Sequence, residues 1–76
     1  MTAMTELWFR VPVDQIGYVV AVVEAYEGLA NILAPANSGE ICWQVPDAQL
    51  PDARALAAAL AREILLIEIA APTPRA

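Results

Sequence analysis

The chain has 76 residues, with nine acidic residues against four arginines, no lysine, no histidine and one cysteine, for a net charge of −5. This excludes an internal disulfide and a histidine/cysteine metal site. Nucleic acid and anionic membrane surfaces are not expected as partners, because Arg10, Arg54, Arg62 and Arg75 are scattered and phosphate binding needs clustered positive charge.

A chain this short forms one domain and buries only about 60% of its unfolded surface. Its apolar content is 59%, against about 45–50% in average proteins. Surplus apolar surface on a marginal core points to oligomerisation, and the expectation is a homodimer. Residues 1–6 lack a basic stretch followed by an apolar one, so no signal peptide is read there. The apolar runs 19–23 and 64–67 fall far short of the roughly 20 residues that span a bilayer. The expected location is cytoplasmic, with no membrane partner.

Along the chain, Leu7, Phe9 and Val11 alternate with Glu6, Trp8 and Arg10, the period of a half-buried strand over 6–11. Pro12 ends it, and Asp14 is a candidate N-cap for the helix that follows. Ile16, Val19, Val20, Val23 and Tyr26 form that helix's core stripe, and Gly28 stops it. A strand over 29–34, turn residues over 35–39 and a strand over 40–45 predict a hairpin. Two registers are open for the third strand: either Ile41, Trp43 and Val45 point inward, or Cys42 and Gln44 do. The first is preferred, because Glu40 and Gln44 then reach water.

Pro51 and Asp52 suit a helix first turn, and Ala53, Leu56, Ala57, Leu60 and Ile64 continue at helical spacing. Leu65, Ile67 and Ile69 alternate with Leu66 and Glu68 in a fourth strand. The tail 70–76, with two prolines, is expected to fray. No internal repeat is long enough to assign. The order β-α-β-β-α-β predicts an α+β, ferredoxin-like sandwich with a core over about 6–69. Its four-stranded antiparallel sheet has both helices on one face.

The opposite face is then expected to carry Trp8, Arg10, Asn31, Leu33, Leu66 and Glu68. It is either an ordinary amphipathic face or a dimer contact through Trp8, Leu33 and Leu66. The first helix has a second apolar stripe, Tyr18, Ala21, Val22 and Ala25, with Tyr18 and Val22 as a further candidate contact.

Catalysis is not expected. The commonest general base and the amine nucleophile are missing. Cys42 has no basic neighbour in sequence and reads as a structural thiol. Glu24 and Glu27, three apart on a helix, read as a solvated face rather than an acid pair or metal site. No phosphate-binding glycine loop is present. No catalytic residue, metal or cofactor is assigned.

One junction offers ligand chemistry. A helix N-terminus presents unpaired N–H groups, Gly17 would allow close approach, and Asp14 and Asn31 add an acceptor and an amide. Together Asp14, Gly17 and Asn31 could hold the amine and carboxylate of an amino acid. The alternative is that Asp14 only caps the helix and Gly17 only eases packing.

The segments Asp14-Gln15-Ile16-Gly17 and Gly28-Leu29-Ala30-Asn31-Ile32 resemble the ACT domain, a small amino-acid-binding regulatory module. The chain departs from that pattern at Ile16, where a proline is frequent, and by an extra residue between Gly28 and Asn31. The runs Leu7-Trp8-Phe9-Arg10-Val11, Asp14-Gln15-Ile16-Gly17-Tyr18 and 24–30 (E-A-Y-E-G-L-A) are also similar to a small bacterial ACT-like family of unknown function. The resemblance implies an amino-acid site at a dimer interface, lined by Asp14, Gly17 and Asn31. The leading expectation is a non-catalytic regulatory module for an amino-acid-like metabolite. The alternative is a protein-interaction module without a small ligand.

Overall fold

The structure is a computed structural model that describes residues 3–35 and 38–71. Strand β1 spans Met4–Arg10, helix α1 Ile16–Glu24, β2 Asn31–Leu33, β3 Glu40–Pro46, helix α2 Leu50–Leu60 and β4 Ile67–Ile69. The strands form one antiparallel sheet in the order β2-β3-β1-β4, an order compatible with a ferredoxin-like arrangement. The middle of the expected hairpin turn, residues 36–37, and most of the expected frayed tail lie outside the described residues.

Alternation on the two central strands sets the core. Leu7 stands opposite Trp43 and Phe9 opposite Ile41, and all four are buried with Val11 and Val45. Val19 and Val23 from α1, and Ala53, Ala57 and Leu60 from α2, join the same cluster, so both helices cover this one face. Trp43, Ile41 and Val45 point inward, as preferred from the charges around them. The Phe9 and Trp43 rings meet with centroids 4.9 Å apart and a 53° tilt. The Trp43 Nε1–H is buried and has no partner among the described residues. Such an orphan donor costs about 1–3 kcal/mol, which the burial of so large a ring offsets.

The helix entries differ from expectation. Asp14 does not cap α1: it lies in a 3-10 turn, Val13–Gln15, and no side chain caps the helix that follows. Pro12, at φ −54° and ψ 136°, starts the turn, and the Gln15 N–H donates to the Pro12 carbonyl at 2.8 Å. The same device recurs before α2. Pro46 sits at φ −57° and ψ 135°, and Gln49 (φ −98°) matches Gln15 (φ −100°). Phe9-Arg10-Val11-Pro12 and Gln15-Ile16 thus reappear as Trp43-Gln44-Val45-Pro46 and Gln49-Leu50. The halves β1-α1-β2 and β3-α2-β4 are structural repeats, against the expectation of none.

Three further placements are corrected. Regular α1 ends at Glu24, two residues short of Tyr26, and Tyr26 is 54% exposed rather than in the core stripe. Val22, not Val20, packs beside that stripe. Gly28, at φ +77°, then reverses the chain, a conformation that only glycine adopts without strain. In β4 the expected facing is inverted. Trp8 pairs with Ile69, Arg10 with Ile67 and Phe9 with Glu68, so Ile67 and Ile69 lie on the open face and Glu68 on the helix side. There Glu68 meets Arg54 of α2 at 3.6 Å. Leu66 is not on the open face; at 8% exposure it is part of the core.

Because the core closes around Trp43, Trp43→Ala is expected to cost about 3–5 kcal/mol. That is a large share of the roughly 4–11 kcal/mol expected for a domain this size. Urea denaturation measures it, and a loss under about 1 kcal/mol would contradict the packing described.

Candidate functional site

The junction of β1 with α1 was expected to gather Asp14, Gly17 and Asn31. Asp14 and Gly17 do lie there, both exposed, in the 3-10 turn and the first turn of α1. A Cβ built on Gly17 meets nothing within 4 Å, so the glycine is not needed for packing inside the chain. Asn31 lies elsewhere. It begins β2 opposite Gln44, which in turn stands opposite Glu6, four residues or about 13 Å along β1 from the Arg10 end. Its side-chain amide donates to Gln44 Oε1 at 3.2 Å. One copy of the chain therefore does not bring the three residues together. The hollow beside the junction is lined by Arg10, Val11, Pro12, Gly39, Leu65 and Ile67 among others, and by none of the three.

The open sheet face is built from alternate residues of all four strands. Its central row reads Leu33, Cys42, Trp8, Ile69 across the sheet. Cys42 is fully buried between Leu33 and Trp8, while Trp8 and Ile69 are half-buried. Leu33 at 45% exposure, Ile67 at 48% and Met4 at 54% complete an apolar surface. Polar rows flank the centre. On one side, Glu6 Oε1 accepts from the Trp8 indole N–H at 3.3 Å. On the other, Arg10 and Glu40 pair at 3.0 Å. Of the expected contact residues, Trp8 and Leu33 are here in one row and Leu66 is absent. Met4 was missed because the strand was read only from residue 6, and Ile67 and Ile69 because the hydropathy of 65–69 allows either facing.

Tyr18 and Val22 are both engaged within the chain. Val22 packs against the core. The Tyr18 hydroxyl donates to Glu63 Oε1 at 2.8 Å, joining the start of α1 to the turn after α2. The Glu63 hydrogen bond, and then its negative charge, push the Tyr18 phenol above its ordinary value of 10.0.

Reactive groups stay apart. Burial, with a smaller contribution from the charge of Glu6, raises the Cys42 thiol, which keeps it protonated and unreactive near neutrality. No group of three or more metal-ligating side chains occurs among the described residues. Among the same residues, no helix is long and apolar enough to cross a membrane.

The Tyr18–Glu63 bond makes stability sensitive to alkali. A phenol raised in the folded state gives up its proton later than in the unfolded chain. Its stabilisation is full below pH 10 and is lost as pH rises through the folded value. Tyr18→Phe should therefore show a flatter stability profile than the parent chain as pH rises above 10. Parallel profiles would show that the bond carries no weight in solution.

Comparisons of the chain with protein-family models, with curated proteins and with solved structures find no match.

Proposed function

We propose that the chain is a ferredoxin-like, ACT-like domain acting as a non-catalytic assembly module, and that it pairs with a second copy through its open sheet face. The strand order and the repeated halves support this fold reading. The observation that carries the functional one is the uncovered apolar row across β2, β3, β1 and β4. A second copy is the occupant its charges favour. On this face β1 presents Glu6, Trp8 and Arg10, a ring between opposite charges. A two-fold axis lying in the face, across the strands through Trp8, sets Trp8 against its copy. The same axis sets Glu6 against Arg10 of the second copy. Stacked sheets lie about 10 Å apart. The two longer dimensions of the molecule, 36 and 32 Å, leave room for the roughly 800 Å² per partner of a standard interface.

The metabolite-binding reading requires a different assembly. Asp14 and Gly17 lie at one end of the sheet and Asn31 toward the other. Antiparallel pairing of β2 with the β2 of a second copy would bring Asn31 of one chain to the Asp14 end of the other. The resemblance to ACT domains is what favours it.

The readings separate by sedimentation equilibrium. The parent chain should weigh twice 8.1 kDa. Glu6→Arg should weaken association about tenfold or more through like-charge repulsion, and adding Arg10→Glu should restore it. A monomer at all concentrations, or a dimer indifferent to both changes, would refute the sheet-face pairing. A dimer of the second kind whose melting point rises with one free amino acid would favour the edge-paired metabolite module instead.

A further inference from the structure

The two repeats predict a pair of equivalent grooves, one on each side of the helix layer. The first lies where Tyr18, Val22 and neighbours on α1 face the turn after α2, and the Tyr18–Glu63 hydrogen bond closes it. In the repeat, Asp52 takes the position of Tyr18; α2 is two residues longer than α1, so after the helices Glu27 takes the position of Glu63. Two carboxylates, one of them short, can neither span the gap nor bond across it, so the second groove stays open, with a volume of about 540 Å³. That is the size of ordinary small-molecule sites, about 300–1,000 Å³. Tyr26, Glu27 and Leu29 form one wall, and Gln49, Asp52 and Leu56 the other. Ala55 and Ala59, on the same face of α2, leave the space between them.

The lining is apolar with an acidic rim. Leu29 is buried and Leu56 half-buried, while Tyr26 offers an exposed ring. Among the described residues no basic side chain lines the groove, and Glu27 and Asp52 form no ion pair. The closed groove holds an aromatic ring ending in a hydrogen-bond donor. The open one has the acceptor, Asp52, where that ring begins, and lacks the ring.

We propose that this groove is a binding site for a small organic amine, an ammonium group on an apolar or aromatic body. The ammonium pairs with Asp52 and Glu27 and lies near the Tyr26 ring, and the body fills the space over Ala55 and Ala59. The site is separate from the open sheet face and does not depend on dimer formation.

The test is an NMR titration of the nitrogen-15-labelled chain with three probes sharing one body: 2-phenylethylammonium, 2-phenylethanol and 3-phenylpropionate. The cation should give saturable shifts at the amides of Tyr26, Leu29, Leu56 and Ala59. Its affinity should exceed that of the alcohol by about three- to fivefold or more, the range for an exposed charge pair, and the anion should be weakest. Asp52→Asn should lose a similar factor for the cation and nothing for the alcohol. Ala59→Leu, at an exposed position, should fill the groove and abolish saturation while the amides of β1 and β3 stay in place. Equal binding of the three probes, shifts elsewhere on the molecule, no saturation, or an unaffected Ala59→Leu would each overturn the assignment.

Discussion

Phe9 on β1 and Trp43 on β3 meet at 4.9 Å in the centre of the sheet, and the rest of the molecule is arranged around that contact. They are equivalent residues of the two repeats, so the pair lies close to the internal pseudo-two-fold axis. Val-Pro comes one residue after each, and each proline opens a 3-10 turn that swings the chain off the sheet into a helix. The turn, in place of a side-chain cap, fixes both helix entries. Both helices then fall on the face that holds the two rings, and the other face is left without a layer.

That division was legible in part. The period-two pattern of Leu7, Phe9 and Val11, with the polar residues flanking Trp43, sufficed to put the core on one side. The facing of β4 was not legible. Leu65, Leu66, Ile67 and Ile69 are all apolar, and the lone acid, Glu68, lies on the helix side at a sheet edge, where it still reaches water and Arg54. Asp14 looked like a cap because caps are commonly acidic, but the preceding proline imposed a tighter turn. The internal repeat escaped notice because it shares few letters, chiefly Val-Pro and a glutamine at the helix entries, with the aromatic and aliphatic positions alike in kind and not in letter. Backbone angles expose it where letters do not.

The candidate ligand residues divide in the same way. Asp14 and Gly17 follow β1 and Asn31 begins β2; the two strands run parallel with β3 between them, so the end of one and the start of the other lie at opposite ends of the sheet. Sequence proximity to a glycine and an asparagine carried no information about that distance. The asymmetry between the repeats was equally hidden: Tyr18 with Glu63 closes one groove, and Asp52 with Glu27 leaves the other open. The acidic rim lies on the open side and the tyrosine hydrogen bond on the other.

The proposed pairing through the open face is tested most directly by intermolecular nuclear Overhauser effects in a one-to-one mixture of isotope-labelled and unlabelled chains. The account predicts contacts from the Trp8 indole to Trp8 and its row neighbours Ile69 and Leu33 on the other copy. Contacts confined to Ile32 at the β2 edge, contacts among helix residues, or no intermolecular contact at all would contradict it.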